Sequence, residues 1–400
     1  MSAASNSNNS IPQFYPSKLN PVFTRLVQSI SYLGAYYAYQ VKLVVKTEDI
    51  AKIKAIEDKR IVYLPNHPTL DDGVILFMFS ACLGQLFHYI VAKEAFQGLM
   101  GEFLQRIGAY SIKRGLGDRA SISQTFELIQ QPKSRLVIFP EGGCSYQNDT
   151  VMPFRSGAIQ LPFSAMNQLV KKEGDIPDLY LVPVSLKYRY TKPMNWAIEK
   201  SLSQLEEALG IQASTTEFYP RLRAIAEKIL ISIEKEYGVD VTTEDWNPRI
   251  ERLKDRILHE CEQQLKLTPK DHIPARERVY KIQSIIDSQD EKLTKEQEQT
   301  YEALYRSAFR LLNFDAIYDG YVAEKPTPER FLDTLTTLER EVFQIEHPSA
   351  KGRRKAFIAL GEPINIKDHF SAYQEDKTAT IESLTTEIQQ TVQKNIDLLA

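Results

Sequence analysis

The segment Asn66-His67-Pro68-Thr69-Leu70-Asp71-Asp72-Gly73 sets an imidazole and a carboxylate, His67 and Asp72, five positions apart. A neutral imidazole can take a proton from a hydroxyl, while a carboxylate fixes its tautomer and stabilises the imidazolium that forms. A plainer reading is a near capping box, Thr69 with Asp72, at a helix start, with His67 bonding only backbone. A second loop, Phe139-Pro140-Glu141-Gly142-Gly143-Cys144-Ser145, joins a carboxylate able to receive hydroxyls to paired glycines. Such glycines let backbone N–H groups approach a ligand oxygen closely. Downstream, Phe154-Arg155-Ser156-Gly157-Ala158 opens a helix whose amino end, with Arg155, favours an anion. Lys113 and Arg114 close the run Gly108–Arg114 as two adjacent cations. They form either a solvated basic edge or a partner for a phosphorylated substrate or a phosphopantetheine-bearing donor.

The elements around these residues follow from periodicity. Between 61 and 190, short apolar runs (Ile61–Leu64, His88–Ala92, Ala109–Lys113, Leu136–Phe139, Leu179–Lys187) alternate with helical patterns (Gly73–Leu83, Glu94–Ile107, Arg119–Gln130, Ser156–Val170). That alternation predicts βαβ units, so an α/β fold with a mostly parallel mixed sheet flanked by helices. His67 and Glu141 each follow a strand directly, where open α/β sheets bind ligands. Residues 195–350 are Glu/Lys-rich with helical periods at Pro220–Tyr237, Trp246–Leu267, Ile273–Ile286, Leu293–Leu312 and Pro328–Phe343, and no repeat of fixed period is evident. The expected organisation is a disordered tail at 1–16 and an amphipathic helix with a first strand at 17–60. A core at 61–194 and a helical insertion at 195–350 follow, and a returning strand and final helix at 351–400 complete the core.

Composition removes other classes. With 49 Lys+Arg against 52 Asp+Glu the net charge is −3, which argues against a nucleic-acid binder. Three cysteines without a CxxC pair exclude a disulfide scaffold and carry no zinc-site spacing. A mean hydropathy of −0.33 excludes a polytopic membrane protein. Residues 1–16 show neither the basic segment nor the apolar core of a secretory signal. Yet residues 1–60 hold eight Lys/Arg against four Asp/Glu, so +4 stands beside −7 in the remainder. Phe23, Leu26, Ile30, Leu33 and Tyr37 recur there at helical spacing. Such a stripe suits either a membrane interface or the protein core.

Taken in order, Asn-His-Pro-x-x-x-Asp, Gly-Ala-Tyr-Ser-Ile-Lys-Arg, Phe-Pro-Glu-Gly and Val182-Pro183-Val184 resemble the four blocks of the glycerolipid acyltransferase superfamily. Leu360-Gly361-Glu362-Pro363-Ile364 is similar to a strand end often seen near that family's carboxyl terminus. The resemblance covers about residues 40–190 and 355–366. It implies a glycerol-3-phosphate acyltransferase-like fold with an α-helical insertion. It also implies transfer of a fatty acyl group from acyl-CoA or acyl-ACP to a hydroxyl of glycerol 3-phosphate, a lysophospholipid or a related acceptor.

His67 would be the general base and Asp72 its orienter, with Lys113, Arg114, Glu141, Gly142, Gly143, Arg155 and Pro183 binding substrate. Backbone N–H groups near Gly142 and Gly143 would meet the oxyanion. Neither a metal nor a redox cofactor is expected, and the protein would work in the cytoplasm, peripherally on a membrane. Gly143 and Cys144 stand where the family usually has Thr-Arg. Arg114 and Arg155 would then supply charge for an acceptor phosphate, or the acceptor is an unphosphorylated alcohol or a larger lysolipid. Three other readings are a covalent role for Cys144, a dinucleotide loop at Gly115-x-Gly117-x-x-Ala120, and a non-catalytic lipid-binding protein of the same fold.

Overall fold

A computed structural model describes residues 14–115, 117–269, 273–287, 294–314, 318–346 and 348–399. The apolar runs form strands β1 (Val41–Val45), β2 (Arg60–Pro65), β3 (His88–Ala92), β4 (Ala109–Ile112), β5 (Arg135–Val137), β6 (Leu179–Tyr190), β7 (Arg354–Leu360) and β8 (Ile364–Asn365). Their order is β1-β7-β6-β2-β5-β3-β4, with β8 also on β6. Pairing is parallel except where β7 and β8 meet β6. The fold is therefore α/β with a mostly parallel mixed sheet, as its strand–helix alternation predicts.

Helices cover both faces of the sheet. Ile61 and Tyr63 face one apolar cluster, shared with α1 (Pro21–Ala38) and α3 (Asp72–Cys82). Val62 and Leu64 face the other, shared with α5 (Arg119–Gln130), α6 (Gly157–Glu173) and α15 (Lys377–Leu398). Burial on both faces explains why β2 is continuously apolar. Unanticipated elements are α2 (Thr47–Lys54), β8, α14 (Phe370–Glu375) and, between β6 and β7, α7 (Asn195–Leu209) and α12 (Tyr321–Glu324). The helix expected from Glu94 starts later: Lys93–Ala95 is a 3₁₀ turn, and α4 spans Gly98–Arg106. Most of the expected tail at 1–16 lies outside the described residues, but Tyr15 exchanges hydrogen bonds with Ser111, N–H to Oγ and O to N–H, both at 2.9 Å.

Strand β6 outruns β2. Leu179–Val184 pair with β2, whereas Val184–Tyr190 pair antiparallel with β7 on the other edge. Side chains complete the edge that β2 leaves. Asn66 accepts from the Leu186 N–H at 2.7 Å and donates to its carbonyl at 3.0 Å. Asn148 accepts from the Tyr188 N–H at 2.6 Å and donates to that carbonyl at 2.9 Å. Glu329 Oε1 accepts from the Tyr190 N–H at 2.9 Å. Each orphaned ladder group would otherwise cost about 1–3 kcal/mol.

Between β6 and β7 the chain forms α7 (Asn195–Leu209), α8 (Phe218–Glu236), α9 (Trp246–Gln264), α10 (Ala275–Asp287), α11 (Lys295–Phe314), α12 (Tyr321–Glu324) and α13 (Pro328–Phe343) around a core of their own. Contrary to the reading of no fixed period, this segment contains a structural repeat. Glu206, Glu234 and Glu262 recur at 28-residue steps near the ends of α7, α8 and α9. Each forms a bidentate pair with an Arg on the next helix: Arg221 (2.8 and 2.7 Å), Arg249 (2.9 and 2.7 Å) and Arg278 (2.8 and 2.6 Å). The same Glu carbonyls accept from Ile211, Val239 and Leu267, just past a left-handed residue at 210, 238 and 266. Few identities recur, and each Glu–Arg pair spans a turn, so composition conceals the repeat.

Helix α1 is inside out. Its buried positions include Thr24 and Gln28, bonded to the Arg106 carbonyl (3.1 Å) and to Ser80 Oγ (2.9 Å). Leu26, Ile30, Leu33 and Tyr37 are 64%, 60%, 63% and 71% exposed. Among the described residues, no helix is long and apolar enough to cross a membrane.

The repeat supplies a stability test. Arg249→Ala leaves the fully buried Glu234 carboxylate without its bidentate partner, and the expected loss is about 3–5 kcal/mol in urea denaturation. A loss below about 1 kcal/mol would mean that the pair is not structural.

Candidate active site

Strands β2 and β5 are parallel neighbours, so the loops leaving their carboxyl ends emerge side by side. They are laced through His67. Its N–H donates to Glu141 Oε1 at 3.0 Å, and its carbonyl accepts from the Ser145 N–H at 2.8 Å and Oγ at 3.2 Å.

The two expected catalytic side chains meet. His67 Nδ1 lies 2.7 Å from Asp72 Oδ2. Asp72 is fully buried, whereas the His67 side chain keeps 18% exposure. An ionised carboxylate only accepts, so Nδ1 carries the proton and Nε2 is left for chemistry. Asp72 also accepts from the Thr69 N–H and Oγ1, both at 3.0 Å, and from the Tyr188 hydroxyl. The capping reading is thus half right: Asp72 bonds back to Thr69 and also holds the imidazole. Burial and the adjacent Asp72 charge raise the Tyr188 pKa well above the ordinary value, so the phenol stays a donor. Phe139 stacks on His67 with centroids 4.3 Å apart and fixes the ring's plane.

Glu141 is 2% exposed, and its Oε2 has no hydrogen-bond partner among the described residues. Burial pushes its pKa up to about 8, against the opposing pull of the His67 N–H and Arg276. At neutral pH this side chain is therefore largely a neutral acid with a proton to offer.

Cations gather beside the second loop. Gly142 has φ +71°, and a Cβ there would lie 2.5 Å from the Arg155 guanidinium carbon, so only glycine admits that packing. The Arg155 loop is pinned by α15, where Gln389 and Gln393 accept from the N–H groups of Phe154 (2.8 Å) and Val151 (2.9 Å). Arg114 and Arg155 lie over the ring of Tyr280, 4.5 and 5.4 Å from its centroid. Lys113 is tied through its N–H, which donates to Asp118 Oδ2 at 2.9 Å. Pro183 is buried in β6 against Gly361, whose N–H donates to its carbonyl at 2.9 Å; its described contacts do not reach the His67 side chain.

Other expectations change. The Gly142 N–H is spent on the Phe139 carbonyl at 3.1 Å, which removes one of the two N–H groups expected to meet an oxyanion. Burial, then the nearby Asp72 charge, pushes the Cys144 thiol well up, which opposes a thiolate nucleophile. Gly115 presses on the backbone of Tyr280 and Lys281, so its close approach serves the insertion; Leu116 lies outside the described residues. A cavity of about 420 Å³ flanks the His67 loop at Thr69 and Asp71 and reaches Tyr146, Tyr190, Lys351 and Arg354.

Sequence reasoning missed Tyr188, Ser145, Arg276 and Tyr280. Tyr188 carries one available signal: it continues the even-numbered face Val182, Val184, Leu186 that packs toward α3.

Glu141 gives a pH test. The folded chain keeps this proton up to about pH 8, while the unfolded carboxyl loses it near 4.5, so its contribution to stability falls as pH rises between those values. Melting temperatures from about pH 5 to 8 are expected to decline less in Glu141→Gln than in the wild type. Parallel declines would refute the buried acid.

Comparison with known families adds an independent finding. No curated protein matches the chain. Residues 43–187, from within β1 to within β6, match the acyltransferase family model and include both laced loops and the His67–Asp72 pair. The chain carries a glycerolipid-acyltransferase-family domain over residues 43–187, and the protein is an acyltransferase.

Proposed function

We propose that the protein moves a fatty acyl group from acyl-CoA or acyl-ACP to a hydroxyl of glycerol 3-phosphate, a lysophospholipid or a related glycerolipid acceptor. The carrying observation is the 2.7 Å contact of His67 Nδ1 with a fully buried carboxylate, on a side chain that keeps 18% exposure, which leaves Nε2 for chemistry. Nε2 takes the acceptor's hydroxyl proton as that oxygen attacks the thioester carbonyl, help worth about 10²–10⁴ in rate. The oxyanion is met by the Gly143 N–H. Collapse breaks the C–S bond, and the leaving thiolate takes the proton from Nε2, so ester and free thiol form with no net proton change.

The same reading places the enzyme on a membrane surface at its cytoplasmic side, in phospholipid biosynthesis. The support is α1, whose apolar face is turned outward while its polar face is spent on the core. Helix α4 meets α1 through the edge-packed rings of Phe23 and Phe103 and exposes Leu99 and Met100 at 86% and 56%. Apolar side chains gain by leaving water for the acyl boundary, and nearby Lys18, Arg25 and Lys42 suit an anionic headgroup layer.

Two experiments check these statements. Purified protein is assayed with both donor types against phosphorylated and neutral lyso-acceptors. His67→Ala is expected to fold normally and to lose about 10²-fold or more in turnover. Acylation of nothing by the wild type, or equal rates for the variant, rejects the reaction. Leu26→Glu with Leu33→Glu is expected to abolish sedimentation with anionic vesicles without lowering the melting temperature. Wild-type protein that stays in the supernatant rejects the membrane reading.

A further inference from the structure

The insertion reaches the reaction loop itself. Arg276 Nη1, on α10, donates to the Gly143 carbonyl at 3.1 Å. The Tyr280 hydroxyl sits so close to Gly143 that a Cβ there would lie 1.9 Å from it, and Gly115 leaves no more room beneath the backbone of Tyr280. Two glycines of the core are thus fitted to one helix of the insertion, and Tyr280 is 3% exposed. Close packing makes this helix a wall of the loop.

That wall orders three guanidinium groups. Arg114 and Arg155 lie over the Tyr280 ring, and Arg276 stands beside Gly143. Burial, together with Arg276 and Arg114 nearby, pulls the Arg155 pKa below the ordinary guanidinium value despite Glu277 and Tyr280. Around the two arginines on the ring, Glu277 is 3.8 Å from Arg155 and Glu94 is 3.7 Å from Arg114, both carboxylates substantially exposed, and the Arg114 charge also acts on Asp287. Arg114 Nε and Arg155 Nη2 have no hydrogen-bond acceptor among the described residues. Those two nitrogens are buried, while the Arg114 and Arg155 side chains as a whole retain 31% and 27% exposure. An aromatic face that gathers partly exposed guanidinium groups suits the multiple oxygens of a phosphate.

We infer that Arg276 and Tyr280 of the insertion are specificity-determining residues of the acyl-transfer site, completing with Arg114 and Arg155 a wall that reads a phosphate group on a substrate. The inference rests on the acyl-transfer reading and adds a function for the insertion. The phosphate belongs either to the acceptor or to the donor's carrier, and substrates with and without it separate the two.

Kinetics are measured with glycerol 3-phosphate and lysophosphatidate against monoacylglycerol, and with acyl-CoA against an acyl N-acetylcysteamine thioester. Arg276→Gln is expected to raise KM for the phosphate-bearing member of one pair about tenfold more than for its phosphate-free counterpart. Arg276→Lys should restore part of the loss. Tyr280→Ala should reproduce it and Tyr280→Phe should not. Which pair responds identifies the source of the phosphate. Equal effects on phosphate-free substrates, no effect, or a lower KM in Tyr280→Ala would overturn the inference, the last because the ring would then be an obstruction. Calorimetric titration of glycerol 3-phosphate and of CoA, without turnover, keeps the test independent of the reaction. Binding of one probe weakened about tenfold in Arg276→Gln supports it even if no acceptor is acylated, and failure of the wild type to bind either probe overturns it.

Discussion

A carboxylate with no exposure to water has to be met by donors from the protein, and Asp72 draws them from three directions. Its own loop supplies Thr69, the imidazole supplies Nδ1–H, and β6 supplies the Tyr188 hydroxyl. Tyr188 can stand there only because β6 continues past the end of β2. That continuation holds because Asn66, Asn148 and Glu329 take over the ladder. Asn66 precedes the histidine it helps to place, and Glu329 belongs to the insertion. The orientation of one imidazole is therefore coupled to the reach of a strand and to the docking of a distant helix.

The docking has its own electrostatic seam. Asp149 lies among Lys187, Arg189 and Arg330, at 3.5, 3.5 and 3.1 Å, in a region with little solvent. Burial opposes its ionisation, but the surrounding cations win and hold its pKa below the ordinary value. Tyr321 and the Asn148 N–H both donate to Asp333 beside it. Core and insertion thus share polar groups that neither could bury alone.

What was legible in the sequence was what local spacing encodes. His67, Asp72 and the Glu141-Gly142-Gly143 loop lie at strand ends, and a strand end can be recognised from about six residues. Contacts across long separations leave no such trace: Tyr188 reaches Asp72 over 116 positions, and Arg276 reaches Gly143 over 133. Amphipathicity in α1 was readable, but its polarity was not, because a stripe does not say which side faces the core. The repeat escaped because its signature is a pair of charges on successive helices rather than a run of similar residues. Helix α7 escaped because buried Ser201 interrupts an otherwise apolar face of Ile198, Leu202 and Leu205.

The antiparallel junction of β6 and β7 carries a cost in chain entropy. Thr191 and Arg353 sit against each other although 162 positions separate them. Closing a flexible loop of that length would cost about (3/2)RT ln n, roughly 4–5 kcal/mol before any constant. An insertion that folds around its own core shrinks that loop to the distance between its two ends. Those ends are the neighbours that β7 needs. Prior collapse of the helices would deliver the seventh strand to the sixth, making the order of folding a property of the sheet's own topology.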